Sequence, residues 1–293
     1  MQELISIVMT SYNYADYIKE AIESVISQSY QNWELIIVDD GSSDSSVEII
    51  KEYLARDSRI KLYQHEKCIN KGLAASVKLG IEKASSEWIT FLESDDRFKS
   101  ISLEEKVIAL NENPEIELLF TNLEMFDDEE KIQEYNKYFE EINNNFYNRD
   151  ESHFILNFNS LITKLNVIPT FSVVMTKKTL LQKCNFNPPC KASLDYYLWA
   201  QLANCNIYYL NKNLTEWRIH SNSYINRDKQ SWFTRFLFFM QIYYFTINNR
   251  NIFVRLFLML NYFRTRLFYI KVDKKKIKVN LANHKFIYEK DLS

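Results

Sequence analysis

Apolar residues in this chain fall into short continuous runs, each of which stops at a polar cluster. Leu4–Ile5–Ser6–Ile7–Val8–Met9 ends at Thr10–Ser11–Tyr12–Asn13, and Leu35–Ile36–Ile37–Val38 ends at Asp39–Asp40–Gly41–Ser42–Ser43–Asp44. Trp88–Ile89–Thr90–Phe91–Leu92 runs straight into Glu93–Ser94–Asp95–Asp96. Such runs predict buried strands, with further strands at Ile60 to Tyr63 and about Ile116 to Thr121. Between the runs the period changes. Ile18, Ala21, Ile22, Val25 and Ile26 recur at spacings of three and four, which predicts a helix from about Asp16 to Ser27. Similar patterns predict helices at Val47 to Leu54, Leu73 to Ala84 and Leu103 to Asn111. Strand and helix alternate, as in an α/β fold with parallel strands and right-handed crossovers. In such sheets ligands bind beyond the carboxyl ends of the strands, where the three polar clusters stand.

Farther along the pattern weakens. Residues 127–165 are acidic and asparagine-rich without a firm period, and short helices or a mobile excursion are expected there. Phe171 to Met175 predicts a strand after Pro169, and Asp195 to Ala203 a helix with Leu198, Trp199 and Leu202 on one face. A short strand is expected at Ile207 to Leu210, and Trp217–Arg218–Ile219–His220 closes the acidic half of the chain.

Charge divides the chain in two. Residues 229–293 hold 13 Lys/Arg against 3 Asp/Glu, which leaves 23 against 35 in residues 1–228, although the net charge of the whole is only −2. The same tail carries 16 of the 44 aromatic residues. These shifts place a domain boundary near residue 228. The tail's pattern from Trp232 to Ile270 predicts basic, aromatic helices. Its longest charge-free stretch, Phe236 to Asn249, has 14 residues, fewer than the roughly 20 that span a bilayer. Such helices pack on protein, including a second copy of the chain, or lie on an anionic membrane surface. No recognition motif accompanies the positive charge, so no nucleic-acid partner is expected.

With only 3 glycines, the chain has neither a Walker loop nor a GxGxxG fingerprint. The 4 cysteines lack CxxC spacing and paired zinc-ligand spacing, and no leader pattern precedes the first strand. These features predict a reduced, cytoplasmic protein, peripheral at most to the inner face of the membrane. There is no GxSxG elbow for serine hydrolysis.

The chemistry therefore rests on the strand ends. Glu93, Asp95 and Asp96 would emerge together, and carboxylates that close repel unless a cation joins them; hard oxygen ligands suit Mg²⁺ or Mn²⁺. Taken alone, the cluster better suits a strand terminator and helix cap. Its company points further. ISIVMTSYN, followed by AIESVISQSYQNWELIIVDDGSSD, resembles the N-terminal signature of the family 2 glycosyltransferases, whose nucleotide-binding fold is called GT-A. Asn70–Lys71–Gly72–Leu73 and EWITFLESDD resemble the next two blocks of that family. Ser193–Leu194–Asp195–Tyr196–Tyr197–Leu198–Trp199 resembles its acidic block, and Trp217–Arg218–Ile219–His220 its late aromatic–Arg–x–His element.

The resemblance spans about Ile5 to His220. It implies a Rossmann-like nucleotide-binding sheet with flanking helices over 1–228, followed by the helical extension over 229–293. It also implies an inverting, metal-dependent transfer of a sugar from a nucleotide diphosphate sugar to a glycan or lipid-linked acceptor, in cell-surface polysaccharide or glycoconjugate synthesis. Tyr12 would stack on the base, Asp40 would accept the ring N–H and Thr10 would help hold the nucleoside. An aromatic face and a carboxylate acceptor suit uracil, so a UDP-sugar is the expected donor. Asp95 would be the principal metal ligand with Glu93 and His220 beside it, Asp96 would lie near the sugar or the metal, and Asp195 would be the catalytic base. Three positions depart from the family's pattern: Glu93 stands for the usual Asp, Leu194 for an acidic residue, and Val77–Lys78 for Arg–Asn, which leaves any nucleotide contact there to Lys78 or Lys71. A weakly catalytic carbohydrate- or lipid-binding subunit, or a sugar nucleotidyltransferase, are the competing readings.

Overall fold

A computed structural model describes residues 3–142, 152–155, 158, 166–188, 193–220, 269–273, 276–280 and 288–291. The predicted alternation is present. Strands β1 (Ile5–Ser11), β2 (Trp33–Asp39), β3 (Ile60–Gln64) and β4 (Trp88–Phe91) are separated by helices α1 (Ile18–Ile26), α2 (Ser46–Leu54) and α3 (Leu73–Lys83). After β5 (Arg97–Phe98) come α4 (Ser102–Glu112), β6 (Leu118–Asp127) and α5 (Glu129–Ile142). The unit continues with β7 (His153–Phe154), β8 (Val174–Lys177), α6 (Leu194–Gln201) and β9 (Ile207–Ile219).

Among the described residues these nine strands form one sheet in the order β3-β2-β1-β4-β8-β6-β9-β5, with β7 paired to β9. The β3-β2-β1-β4 half is parallel, with Ile5 opposite both Trp33 and Trp88. β8 then runs antiparallel between β4 and β6, and β6 pairs parallel with β9. Every residue of β2 is buried, as expected of a strand covered on both faces. α1 and α2 cover the face formed by Ile5, Ile7, Met9, Leu35 and Ile37, where Ile18, Ile22, Val25 and Ile50 complete the core. α3 covers the other face. Gly80 brings it so close that a Cβ there would lie 2.4 Å from Val8 Cγ1, so a side chain would displace Val8 or the helix.

Several expectations need correction. Ile207 to Leu210 and Trp217 to Ile219 are parts of one 13-residue strand, β9, because β6 pairs with it along its length through two register shifts. Phe171–Val173 is a 3₁₀ turn, and only Val174–Lys177 is strand. Glu129–Ile142 forms one helix; most of 143–165, the boundary at residue 228 and the tail through residue 268 lie outside the described residues. A second compact unit covers Tyr243–Ser293. Its described part is not helical, contrary to expectation: β10 (Tyr269–Asp273), β11 (Lys276–Asn280) and β12 (Tyr288–Asp291) form an antiparallel sheet. Lysine alternates with β-branched residues in Ile270–Lys271–Val272 and Ile277–Lys278–Val279, a period of two that suits strands. No helix among the described residues is long and apolar enough to cross a membrane.

Glu34 and Lys106 are among the buried charged groups. Glu34, at the amino end of β2, accepts from Ser6 Oγ (2.7 Å), Ser85 N (2.7 Å) and Lys61 Nζ (2.7 Å), and these donors outweigh its burial and hold its carboxyl down at about 2. Lys106 on α4 is fully buried. Its Nζ lies 3.3 Å from Thr90 Oγ1 and 4.4 Å from the centre of the Phe98 ring, and burial pushes the ammonium down to about 7. The unfolded chain therefore binds more protons from about pH 7 up to the ordinary lysine value, so stability rises with pH across that window. Lys106→Met is expected to stabilise the protein by on the order of 4 kcal/mol at neutral pH and by far less near pH ~10. Parallel urea titrations of both proteins measure this; a gain independent of pH would show that Lys106 is not forced towards neutrality.

Candidate functional site

The carboxyl ends of β1, β2 and β4 meet at one edge of the sheet. Backbone amides of the first loop and side chains of the second join them: Asn13 N donates to Ser42 Oγ (2.9 Å), Tyr14 N to Ser46 Oγ (3.0 Å) and Ala15 N to Asp44 Oδ2 (3.0 Å). In return Ser43 N donates to Asn13 Oδ1 (2.7 Å). Asn13 has φ 57°, a left-handed conformation that asparagine tolerates. Asp39 is spent on the turn itself, accepting from Gly41 N (3.2 Å), Ser42 N (3.1 Å) and Gln64 Nε2 (3.2 Å).

Asp40 pins a third loop. Its two oxygens accept from Lys71 N (2.8 Å) and Gly72 N (2.9 Å), while His65, bonded to Ser76 Oγ, lies 3.5 Å away. Each carboxylate oxygen has two acceptor directions, so Asp40 keeps capacity for one more N–H. Gly41 makes this junction possible: its φ is +81°, and a Cβ would lie 2.6 Å from the Cys68 carbonyl oxygen. Tyr12 stands beside these loops, 40% exposed, and Thr10 is half-buried. Lys78 and Lys71 are exposed, whereas Val77 faces the core from α3.

The acidic cluster after β4 divides into different roles. Asp95 Oδ2 lies 3.0 Å from His220 Nε2, so the structure brings together a strand-end carboxylate and an imidazole 125 residues apart. Asp96 is buried and occupied by protein, accepting from Ser172 Oγ (2.6 Å) and Arg218 N (3.0 Å); burial and the neighbouring Asp95 and Glu93 raise its carboxyl well above the usual range. Glu93 turns towards Thr170, whose hydroxyl donates to its carboxylate, while its backbone N–H donates to Ser172 Oγ (2.9 Å). Burial, then the charge of Asp95, pushes Glu93 up to about 8, so it is mostly protonated at neutral pH. Among the described residues no group of three or more His, Cys, Asp and Glu side chains is arranged to hold a metal ion. The trio Glu93, Asp95 and His220 is thus not gathered as one ligand set. The Asp95–His220 pair still offers an oxygen and a nitrogen donor, which fits a divalent cation that takes its remaining ligands from water and phosphate.

Asp195 opens α6. Its carboxyl is pushed up to about 7 by burial, against the lowering effect of hydrogen bonds from Tyr196 N and the Asn166 side chain. Its charge in turn contributes to raising Glu93, which puts it within electrostatic reach of the cluster. Leu194 is buried in the core. Cys184 and Cys205, pushed up to about 12 by burial, remain thiols. Sequence reasoning missed Thr170, Ser172, Asn166 and the role of Arg218, since each meets its partner only through tertiary contact; Pro169–Thr170–Phe171–Ser172 carries no periodic signal.

The sequence model described as Glycosyl transferase family 2 matches residues 6–177, more than half of the chain. The chain is 30% identical over 235 residues to the Escherichia coli UDP-Glc:alpha-D-GlcNAc-diphosphoundecaprenol beta-1,3-glucosyltransferase WfgD, covering 78% of this chain and 83% of that protein. In fold it resembles S. aureus TarS 1–349 in complex with UDP-GlcNAc, with a TM-score of 0.69 at 18% identity over 89% of this chain and 72% of that one. It also resembles the Pyrobaculum calidifontis mannosyltransferase PcManGT in complex with GDP-Man and Mn²⁺, with a TM-score of 0.57 at 13% identity over 89% and 69%. At these identities the structural likeness concerns the fold, a GT-A sheet with flanking helices. The chain spans 34% to 43% of the length of the first curated relatives it matches.

Ser172 is the hinge of the acidic cluster, donating to Asp96 and accepting from Glu93 N. Ser172→Ala would leave both groups buried without that partner and is expected to cost about 1–3 kcal/mol. Chemical denaturation at neutral pH measures the loss; unchanged stability would show that the hydroxyl does not offset the crowded acids.

Proposed function

The chain belongs to glycosyltransferase family 2, and from that premise we propose that it transfers a sugar from a UDP-sugar to an acceptor hydroxyl, inverting the anomeric carbon. The observation that carries the proposal is the convergence at one sheet edge of exposed Tyr12, the pinned Asp40 and the Asp95–His220 pair. Tyr12 supplies a face for a base, and Asp40 an acceptor for the uracil N–H. Asp95 and His220 would hold Mg²⁺ or Mn²⁺, which neutralises charge on a departing diphosphate when bound.

Asp195 takes the proton of the acceptor hydroxyl. The hydroxyl oxygen forms its bond to the anomeric carbon as the bond from that carbon to the diphosphate oxygen breaks, and the electron pair leaves with the nucleoside diphosphate. A base near 7 divides between carboxyl and carboxylate at neutral pH, close to the optimum for proton transfer. Glu93, mostly protonated within its electrostatic reach, adds little second charge. WfgD, named for a UDP-Glc donor, and TarS, in complex with UDP-GlcNAc, support uridine as the nucleoside, and PcManGT, in complex with GDP-Man and Mn²⁺, supports a divalent cation. By the same analogy the acceptor is a glycan or a lipid-linked sugar in surface polysaccharide assembly.

The nucleoside is tested by thermal stabilisation with UDP, GDP, dTDP and CDP, each with and without Mn²⁺, since a ligand that binds only the folded state raises its stability. A Mn²⁺-dependent shift largest for UDP is expected; no shift with any nucleotide would favour a binding subunit without transferase activity. The base is tested by the pH dependence of nucleotide release from a UDP-sugar that stabilises the protein. Because the active form is the carboxylate, the rate should rise through about pH 7 and level off above it. Asp195→Asn should lose about 10²–10⁴-fold with the fold intact. Full activity in that variant would remove Asp195 from the mechanism.

A further inference from the structure

Arg218 has no part in the chemistry above, yet it is the most heavily bonded cation near it. Its side chain is 9% exposed and uses all three guanidinium nitrogens. Nε donates to the Asp95 carbonyl oxygen (3.0 Å), NH2 to Glu20 Oε2 (2.7 Å) and NH1 to Asp127 Oδ2 (3.1 Å). The plane lies 4.4 Å from the centre of the Phe126 ring and 5.0 Å from that of Tyr17. Its backbone N–H is the donor that holds Asp96 Oδ1. One residue thus ties the acidic loop to α1, to the end of β6 and to β9.

The position of these contacts matters more than their number. The Nε bond ends on the main chain of Asp95, and the Tyr17 ring under the guanidinium is 4.7 Å from the His220 ring. Arg218 therefore grips both members of the Asp95–His220 pair from behind, one through its carbonyl and the other through an aromatic spacer. A lysine reproduces the charge but not the planar fork, so it cannot serve the carbonyl and two carboxylates at once. Glu20, which also accepts from Arg97 NH1 (3.1 Å), braces the far side of the guanidinium from the first turn of α1.

We propose that Arg218 is the positioning residue of the Asp95–His220 pair, giving this pair its affinity for a divalent cation with bound diphosphate while touching neither. The proposal rests on the assignment of that pair to the diphosphate end of the donor. It differs from a general stabilising role in one respect: the coupling between cation and nucleotide depends on Arg218, and the binding of the nucleoside at Tyr12 and Asp40 does not.

Isothermal titration of the full chain with UDP, once with Mn²⁺ and once in EDTA, measures that coupling as the ratio of the two dissociation constants. Wild type should bind at least about tenfold more tightly with Mn²⁺, a coupling in the usual range for linked sites. Arg218→Lys should bring the ratio close to one while leaving the affinity in EDTA within about twofold. Glu20→Gln, which removes one brace and keeps the arginine, should lower the ratio part of the way, and it decides the matter if Arg218→Lys does not fold. An unchanged ratio, or equal losses with and without Mn²⁺, overturns the proposal. Wild-type binding indifferent to Mn²⁺ overturns the assignment of the site, and the proposal with it.

Discussion

Three carboxyl groups crowded behind one buried strand are the constraint around which this edge of the protein is organised. Glu93, Asp95 and Asp96 leave β4 within four residues, and like charges in a poorly solvated place cannot all ionise without compensation. Each is dealt with differently. Glu93 is left largely protonated against Thr170, Asp96 receives a hydroxyl and a backbone amide, and Asp95 faces His220. Asp95 is thereby left to the imidazole of His220, with the other two acids absorbed into the scaffold.

The topology supplies the compensation. The parallel half of the sheet, β3-β2-β1-β4, delivers the loops that carry Tyr12, Asp40 and the acids. The other half delivers their partners: the turn before β8 brings Thr170 and Ser172, and β9 brings Arg218 and His220. Insertion of β8 antiparallel between β4 and β6 is what places the two sets face to face. Thr215 of β9 also donates to the Ser172 carbonyl oxygen (3.0 Å), so turn and strand are fixed to each other as well as to the acids.

The parallel half was legible in the sequence because its information is local. Continuous apolar runs mark doubly covered strands, helical spacing marks the crossovers, and the polar clusters Thr10–Asn13, Asp39–Ser43 and Glu93–Asp96 mark the ligand edge. The individual duties of the acids were not legible. Glu93 meets Thr170 77 residues away and Asp96 meets Ser172 76 residues away, and no period or spacing encodes which carboxylate a distant hydroxyl will neutralise. For the same reason only Ile207 to Leu210 of β9 is legible as strand, since the rest of its length comes from pairing with β6 through two register shifts. Asp195 and His220 are named by resemblance alone, whereas the contacts of Asn166 and Arg218 with their neighbours form only in the fold.

The departures from the family's pattern gain a physical sense from burial. Val77 and Leu194, standing where the resemblance leads one to expect an arginine and an acidic residue, are both in the core, 2% and 1% exposed. Neither leaves a partner charge stranded: Asp40 is satisfied by the amides of Lys71 and Gly72, and Asp195 by Tyr196 and Asn166. A buried apolar side chain in place of a charge removes a desolvation penalty and adds packing. Val77 and Leu194 thus add core volume, and on the proposed assignment the electrostatics of the site rest on few groups, Asp95 with His220 and Asp195. With so few groups assigned, the placement of each would carry more of the binding energy, so an arginine that holds the Asp95 main chain would matter as much as a residue in front of the pair.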